Sequence, residues 1–492
     1  MLDSHLLAAL AAPDLTGLPR QELLYQRLKA AILDGRLPGG LRLPASRQLA
    51  ADLAMARNGV IHAYQQLLAE GFLTADRGGT RVAQLPALKQ QAATPSEAVV
   101  HGARPGLSRR ASDLAARAAT GNAWLPFSPG VPDLAAFPWA AWSRALQRAW
   151  SGVTARQLAY AEPGGEPALR QAVAHYLAAR RGVVCTPAQV FIVAGGQMAL
   201  DACARLLADP GDVVWLENPC YPAARNTMLA AGLKAVPVAV DESGMAPPPS
   251  LWETQPPRLI YLTPSHQYPL GSVLSLSRRL DFLQKSASTA SWLIEDDYDC
   301  EFQHARQGRR PLPAMQGLQP SAAVVYVGTF SKLLYPGLRI AYMVVPPWAV
   351  GSIGEGIAAL YRGGLAVEQQ ALATLLENGT LTRHERRMAP IYRGRQQVLC
   401  EALIESFGPS ATITGGDAGL HLTLHLADGP PDVAIADAAA ALGVVARPLS
   451  QYATQAAGQP QLNGLVLGYG MVDAGQIPAL VKRLAEAVAR VS

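Results

Sequence analysis

Six short apolar runs between residues 189 and 345 constrain the fold of this chain most. In one-letter code they are QVFIVAGG, DVVWLENP, RLIYLTP, WLIEDD, AVVYVG and IAYMVV. Gly, Pro or charged residues bound these runs, and longer helical stretches separate them. Apolar strands that alternate with helices indicate a largely parallel sheet covered by helices on both faces. The sequence therefore predicts an α/β domain over residues 125–492, with a small subdomain over about residues 390–492.

The size and composition of the chain indicate more than one domain. A chain of 492 residues exceeds what one hydrophobic core organises, and 50% apolar residues are enough for large cores. The net charge of +5 permits contact with nucleic acid without requiring it. The five cysteines are widely spaced without a CxxC pair, so we expect reduced thiols and no metal site. Without a signal peptide pattern or a long apolar run, a cytoplasmic protein with no membrane contact is expected.

The first 84 residues predict a separate small domain. Apolar residues at helical spacing indicate a helix from Arg20 to about Asp34, a second one with Ser46 as N-cap, and a third from about Arg57. Two short strands, FLTAD and TRVAQ, flank a turn at residues 77–79. Three helices followed by a hairpin make a winged helix-turn-helix, which reads DNA. A small helical domain with an ordinary solvated face is the other interpretation, because nine Lys and Arg stand against seven Asp and Glu.

Polar residues of the third helix carry the DNA-binding interpretation. Arg57, Asn58, His62 and Gln65 lie on its polar face and suit phosphates and base edges. The segment LPASRQLAADLAMARNGVIHAYQQLLAEGFLTADRGGTRVA resembles the DNA-binding domain of GntR-type bacterial repressors, although Ala56 stands where that family usually has Ser. The resemblance implies that Arg47, Arg57 and the wing residues Arg77, Thr80 and Arg81 face DNA.

Residues 85–124 are predicted to be a linker. They are rich in Ala, Pro, Ser and Gln, with little hydrophobic periodicity. Five Lys and Arg against two acidic residues make the segment basic. This charge either adds attraction to DNA phosphates or only keeps the segment solvated.

Chemically informative residues stand at the ends of the predicted strands, where parallel sheets carry their sites. These residues are Lys332, Asp296, Tyr298, Tyr221, and the Gly196–Gln197 pair that opens a helix. Together they supply an amine, a carboxylate, an aromatic ring and a helix N-terminus, which a pyridoxal 5′-phosphate (PLP) site requires. The amine forms a Schiff base, and the carboxylate keeps the pyridine nitrogen protonated. Each residue taken alone is also explained as a solvated side chain or a plain strand–helix connection.

A second resemblance covers nearly all of residues 125–492. The segments YAEPGGEPALRQAVAHYLAARRGV, AGGQMALD, ENPCYP, TPSHQYPLG, EDDYDCEF and GTFSKLLYPGLRIAY are similar to the fold-type I aminotransferase domain of MocR-type GntR regulators. The resemblance implies that Lys332 forms the Schiff base, Asp296 faces the pyridine nitrogen, Tyr298 bonds the ring oxygen and Tyr221 stacks on the ring. It also implies that Gly196, Gln197, Thr329 and Arg339 surround the phosphate, and that Tyr160 reaches the phosphate of the neighbouring subunit.

The combination of domains predicts a transcriptional regulator that binds a DNA operator and senses PLP or an amine that condenses with it. The resemblance implies a head-to-tail, domain-swapped homodimer on two half-sites. An active PLP-dependent aminotransferase that carries a DNA-binding head is the alternative, since the lysine, Asp296 and the phosphate residues are all present.

The effector is predicted from one departure from the family pattern. In a number of relatives an arginine that follows the Ser of an LSxY segment suits a substrate carboxylate, and this chain has Gln451 there. Arg447 and Arg225 are the other candidates for effector binding. Because a neutral amide replaces the expected cation, we expect the effector to be PLP itself or an amine with an unusual acid group, such as a sulfonate.

Overall fold

The computed structural model describes residues 18–84, 106–116, 125–160, 162–299, 301–302, 312–408, 412–454 and 462–492. Its contacts divide the chain into two compact units, one within residues 1–105 and the other within residues 106–492. Among the described residues, none of the helices combines the length and the apolar character that a membrane span needs.

The first unit is the predicted winged helix-turn-helix. It consists of α1 (Arg20–Leu33), α2 (Ser46–Asp52), α3 (Arg57–Ala69), and the antiparallel strands β1 (Leu73–Asp76) and β2 (Gly79–Val82). Leu28, Leu49, Val60 and Leu67 meet in its core. The prediction of Ser46 as N-cap was wrong: the extended residue before the helix is Ala45, and no side chain caps α2. Ser46 is already the first helical residue, one position past the N-cap, so its hydroxyl does not stand where a capping side chain does.

A helix lies within the predicted linker. This helix, α4 (Arg109–Ala116), has the sequence RRASDLAA, which offers one large apolar residue and therefore no visible periodicity. The Arg110 guanidinium donates to the Ala230 carbonyl at 2.9 Å. Residues 106–116 thus belong to the second unit. Residues 85–105 and 117–124 lie outside the described part, so the linker stays a prediction there.

The large part of the second unit alternates helices and strands as the sequence indicated. Its elements are α5 (Trp139–Ser151), α6 (Ala155–Leu158), α7 (Pro167–Arg181), β3 (Val190–Val193), α8 (Gly196–Leu207), β4 (Val213–Asn218), α9 (Pro222–Ala230), β5 (Lys234–Asp241), β6 (Gly244–Met245), α10 (Leu251–Thr254), β7 (Leu259–Leu262), α11 (Leu276–Thr289), β8 (Trp292–Asp297), α12 (Met315–Leu318), β9 (Val324–Thr329) and β10 (Ala341–Val344).

The described strands of this part form one sheet in the order β3-β10-β9-β8-β7-β4-β5-β6. Strands β9, β8, β7, β4 and β5 are parallel to one another, whereas β10 runs antiparallel to both β3 and β9. The prediction of an α/β fold with a mostly parallel sheet is confirmed. Strand β5 was not predicted, because its sequence KAVPVAVD contains Pro237 and is only partly buried.

The remaining elements include a second, smaller sheet. They are α13 (Val350–Tyr361), α14 (Ala366–Glu377), α15 (Thr380–Phe407), β11 (Thr412–Thr414), β12 (His421–His425), α16 (Asp432–Ala441), β13 (Arg447–Pro448), β14 (Gly464–Gly468) and α17 (Ile477–Val491). The four strands form an antiparallel sheet in the order β11-β12-β14-β13. The boundary predicted at about residue 390 falls inside α15, at Pro390. Tyr326 of the large sheet and Leu422 of the small one belong to the same core, so the two sheets pack together.

Candidate cofactor site and DNA-binding head

A cavity of about 270 Å³ lies at the carboxyl ends of β8 and β9 and at the N-terminus of α8. Eight of the nine residues predicted to hold the cofactor line it: Gly196, Gln197, Tyr221, Asp296, Tyr298, Thr329, Lys332 and Arg339. Parallel strands bring their carboxyl ends to one edge of a sheet, so residues distant in sequence meet there. The predicted grouping of these side chains is therefore present in the fold.

The Lys332 amine points to the chain segment that precedes α5. Its Nζ donates to the Gly130 carbonyl at 2.9 Å. Burial lowers the pKa of this amine, although the carboxylates of Asp299 and Asp296 act in the opposite direction. Gly130 has a φ of +75°, and a Cβ added there would lie 2.6 Å from Nζ. A side chain at position 130 would therefore displace the amine, whose lowered pKa favours the neutral, nucleophilic form.

The Asp296 carboxyl is held by a single hydroxyl. Its Oδ2 accepts a hydrogen bond from Tyr261 at 2.7 Å, and Tyr261 is fully buried in β7. Burial raises the pKa of Asp296 to about 6, whereas the Tyr261 hydrogen bond and the charge of Lys332 lower it. The carboxyl can therefore exchange a proton close to neutral pH, in a fixed orientation.

The opposite end of the cavity suits an anion. Gly196 and Gln197 are the first residues of α8, whose free backbone N–H groups point toward the cavity end of the helix. The Arg339 Nη2 donates to the Ala194 carbonyl at 3.1 Å, and a Cβ added to Gly195 would lie 2.6 Å from Arg339 Cζ. A helix N-terminus beside a guanidinium is a usual phosphate site.

Two aromatic rings meet at the mouth of the cavity. Tyr221 is the N-cap of α9 and is 36% exposed. Its ring lies edge-on to that of Tyr268, with 5.6 Å between the centroids. The phenol of Tyr298 donates to the His266 carbonyl at 3.0 Å. These rings supply flat apolar surfaces on which a planar ligand can stack.

The DNA-binding candidates lie on one helix pair and on the wing of the head. Arg57, Asn58 and His62 are exposed on α3, and Arg47 is exposed on α2. Arg57 Nε lies 3.5 Å from Ser46 Oγ, so the starts of α2 and α3 are neighbours. The wing residues are Arg77, exposed in the turn, and the partly buried Thr80 and Arg81 of β2. Their contacts with DNA stay predictions.

Comparisons with known proteins agree with this two-part organisation. Residues 20–82 match the bacterial regulatory proteins of the gntR family, and residues 124–459 match aminotransferase class I and II. The probable rhizopine catabolism regulatory protein MocR of Rhizobium meliloti is 40% identical over 92% of this chain and 91% of that protein. The chain belongs to the MocR-type GntR regulators.

Two other known proteins are similar to most of the MocR-type regulator. The pyridoxine biosynthesis transcriptional regulator PdxR of Corynebacterium glutamicum is 30% identical over 96% of this chain and 96% of that protein. The crystal structure of LysN, an alpha-aminoadipate aminotransferase from Thermus thermophilus complexed with N-(5'-phosphopyridoxyl)-L-leucine, is 27% identical with a TM-score of 0.67, and covers 75% of this chain and 92% of that one. The prediction of a transcriptional regulator rather than an aminotransferase is confirmed, and so is the aminotransferase fold.

Tyr160 and the effector candidates lie outside the cavity lining of the MocR-type regulator. Tyr160 is 83% exposed, with the Arg362 guanidinium 5.2 Å from its ring centroid. Arg225 donates to the carbonyls of Gln451, at 3.0 Å, and Ala453, at 3.3 Å, so it holds the segment that contains Gln451. Arg447 lies in β13, paired with Val466. The roles predicted for these residues stay predictions.

The structure also groups residues whose part in the site the sequence did not indicate. His266 Nδ1 lies 3.2 Å from Asp299 Oδ1, and the ring centroid of His421 lies 5.0 Å from that of His266. Burial and the neighbouring His266 lower the pKa of His421 to about 3. His266 and Asp299 stand in the motifs TPSHQYPLG and EDDYDCEF, which gave a signal, whereas His421 lies in β12 with no local motif. Ser331, beside Lys332, lines the cavity as well.

Proposed function

We propose that this regulator holds PLP covalently at Lys332, and that PLP itself or a small amine is the effector that changes its binding to DNA. When bound, PLP supplies an aldehyde that condenses reversibly with primary amines. The observation that carries the proposal is the grouping of the Lys332 amine, the Asp296 carboxyl and the α8 N-terminus around one cavity. Separately these features are common, but together they meet the needs of one ligand.

Each chemical group of PLP has a matching residue in the cavity. The α8 N-terminus, Thr329 and Arg339 suit the phosphate. Asp296 suits the ring nitrogen and Tyr298 the ring oxygen. Two glycines support the fit, because a Cβ at Gly130 or Gly195 would contact Lys332 or Arg339 respectively. The absence of a side chain at these two positions lets Lys332 and Arg339 lie against the backbone beside the cavity.

The surroundings of Lys332 and Asp296 set the protonation states of these two side chains. Burial lowers the pKa of Lys332, so a larger share of its amine is neutral and able to attack a carbonyl carbon. Asp296, with a pKa of about 6, is mostly ionised at neutral pH and suits a protonated ring nitrogen. Tyr261 fixes the direction of that carboxyl through its hydrogen bond.

The proposed effector is PLP or an amine with an unusual acid group, such as a sulfonate. In this chain Gln451 offers a neutral amide instead of a cation. Arg225 already donates to the carbonyls of residues 451 and 453, which makes it a poor free clamp for a carboxylate. The name of PdxR, a regulator of pyridoxine biosynthesis, supports PLP as the effector.

A homodimer is part of the proposal. Tyr160 is 83% exposed and does not line the cavity of its own chain, as expected for a residue that acts in a neighbouring subunit. We propose that Tyr160 of one subunit approaches the phosphate bound by the other. A head-to-tail dimer would also present two heads to two DNA half-sites.

Reductive trapping tests the covalent link. Protein incubated with PLP and then treated with borohydride is digested, and the peptide that contains residue 332 is examined by mass spectrometry. We expect a phosphopyridoxyl adduct on Lys332, no adduct at that position in Lys332→Ala, and full labelling in the control Lys234→Ala, which changes an exposed lysine of β5. Wild-type protein without an adduct on Lys332 would refute the proposal.

A titration identifies the effector class. The PLP-loaded protein is mixed with α-amino acids, GABA or taurine, cofactor-free protein is mixed with PLP, and the visible spectrum and operator binding are followed together. Taurine or added PLP is expected to change DNA binding. A response to ordinary α-amino acids at micromolar concentration would contradict the proposed effector class while leaving the covalent link intact.

A further inference from the structure

The wing of the head has a third strand-like segment. The Val82 amide donates to the Leu41 carbonyl at 2.9 Å, and the Leu43 amide donates to the Thr80 carbonyl at 2.9 Å. Arg42 is thereby paired with Arg81 in an antiparallel bridge. The segment that leads into α2 therefore extends the hairpin of β1 and β2.

The pairing places two arginines on the outer face of this sheet. Side chains alternate between the faces of a strand, and Leu43 and Val82, which follow the two arginines, are buried in the core of the head. Arg42 and Arg81 consequently project from the opposite face. Directly opposite residues of an antiparallel pair are close neighbours, and like charges at such positions repel.

The Arg42 side chain extends along the sheet to the tip of the wing. A Cβ added to Gly79 would lie 3.1 Å from Arg42 Nε and 3.3 Å from Nη2. Gly79 borders the turn that carries Arg77. The guanidinium thus lies over the backbone of the turn and remains exposed.

The positive charges of Arg42 and Arg81 are available to bind an anion. Two other cations of the head are matched to acids: Arg36 pairs with Asp34 at 2.7 Å, and Lys29 pairs with Glu70 at 2.6 Å. Within the described residues no ion pair includes Arg42 or Arg81, and Arg81 Nη1 donates to the Gly40 carbonyl at 3.3 Å. The turn carboxylate, Asp76, accepts from the Gly78 amide.

The segment of Arg42 is also tied to α3. The Tyr64 phenol of α3 donates to the Pro44 carbonyl at 3.0 Å, two residues after Arg42. We propose that Arg42 is a further DNA-contacting residue, and that it binds a backbone phosphate beside the wing with Arg81 as its neighbour. Guanidinium groups bind phosphate through directed hydrogen bonds, and the anion removes the repulsion between the two arginines. The inference depends on the head binding DNA.

The salt dependence of DNA binding tests the role of Arg42. Binding of the full chain to a fluorescein-labelled, mixed-sequence duplex is measured by anisotropy between about 50 and about 200 mM salt. Loss of one phosphate contact lowers the slope of log K against log salt by about 0.9 for each bound head. Arg42→Gln is expected to show this lower slope, Arg42→Lys to keep the wild-type slope, and the control Arg36→Gln, which removes a cation already paired with Asp34, to keep it too.

The variants separate a phosphate contact from a structural role. If Arg42 only packs on Gly79, the substitution Arg42→Lys loses that packing. In that case Arg42→Gln keeps the wild-type slope of log K against log salt, provided that circular dichroism shows both variants to be folded. An unchanged slope in Arg42→Gln, or an equal loss in Arg42→Lys, would overturn the proposal. Wild-type protein that fails to bind the duplex would instead contradict the DNA-binding function of the head.

Discussion

The cofactor cavity and the DNA-binding head use charge in opposite ways. In the cavity, burial raises the pKa of Asp296 to about 6, lowers that of Lys332, and lowers that of His421 to about 3. In the head the cations stand in water, and the side chains of its Arg36–Asp34 pair are 52% and 30% exposed. The cavity therefore controls the protonation of a few groups, whereas the head presents permanent charges to a polyanion.

This difference predicts how each region responds to substitution. A change in the cavity disturbs groups whose properties depend on close packing and low solvent access. A change on the surface of the head removes one of several screened charges. Effects on ligand chemistry should therefore be large and local in the cavity, and effects in the head should be smaller and dependent on salt.

The largest effect is expected for Gly130→Ala. The residue has a φ of +75°, and the new Cβ would lie 2.6 Å from Lys332 Nζ. A left-handed alanine costs about 1 to 2 kcal/mol, and overpacking adds about 1 to 3 kcal/mol. The amount of PLP trapped on Lys332 by borohydride should fall by more than about tenfold.

Gly443→Ala is the matched control for this substitution. Gly443 has a φ of +74°, but a Cβ there would meet no atom within 4 Å. It bears the same backbone strain without the contact to the amine, so trapping should stay close to wild type. An equal loss of PLP trapping in both variants would show that backbone strain alone explains the effect. The contact between the new Cβ and Lys332 would then have no part in it.

The second effect is a pH dependence from Asp296. Its pKa is raised from 3.8 to about 6, so the folded cofactor-free protein gains stability from this group at low pH and loses it as the pH rises through about 6. The shift of about two units corresponds to about 3 kcal/mol. Asp296→Asn, which cannot ionise, should gain stability relative to wild type between about pH 4 and about pH 7.5.

Unfolding of cofactor-free protein by denaturant at several pH values measures this change. The exposed Asp428→Asn serves as the control and should show no such gain. A stability difference between Asp296→Asn and wild type that does not depend on pH would contradict the raised pKa. Binding of PLP should weaken in Asp296→Asn, and this result would show that the acid serves the ligand at the expense of stability.

The sequence predicted the sheet and most of the cavity because strand ends carry strong local signals. Apolar runs such as VVYVG mark buried strands, and Lys332 and Asp296 follow them directly. Strand β5 was missed because Pro237 and partial burial weaken its pattern. Helix α4 was missed because its polar sequence takes its position from a tertiary contact, the hydrogen bond from Arg110 to Ala230.

Residues that enter the site from a distant element could not be predicted by pattern. His421 reaches the cavity from the small sheet, and its part depends on packing against His266, 155 positions earlier in the chain. Arg225 was predicted as an effector ligand from its place in the sequence alone. In the fold its donors face the carbonyls of residues 451 and 453, which only the tertiary structure brings near.

A third effect is expected in the head for Arg57→Gln. Arg57 is the exposed first residue of α3, next to the start of α2. If it contacts a base, specific affinity should fall by about 1 to 3 kcal/mol, whereas a phosphate contact would mainly change the salt slope. Anisotropy with a duplex selected from random sequences by the wild-type protein measures both quantities, with Arg36→Gln as the control cation.

If the head and the cavity respond separately to substitution, Arg57→Gln should leave the cavity unchanged. Trapping of PLP on Lys332 should equal that of wild type in this variant. Unchanged affinity together with an unchanged salt slope would show that α3 does not place Arg57 on DNA. A loss of trapping would show that the two regions do not respond separately.

The smallest effect is expected for Asp34→Asn in the head. The Arg36 guanidinium beside Asp34 lowers the pKa of that carboxyl. The pair is exposed and screened, so its loss should change the free energy of unfolding by less than about 1 kcal/mol. A lowered pKa contributes stability above about pH 4 that is lost as the pH falls further, so the variant and wild type should converge in acid. Thermal unfolding at several pH values checks this convergence. The stability contribution of Asp34 is lost as the pH falls, whereas that of Asp296 is lost as the pH rises. A difference between Asp34→Asn and wild type that grows in acid would contradict the prediction.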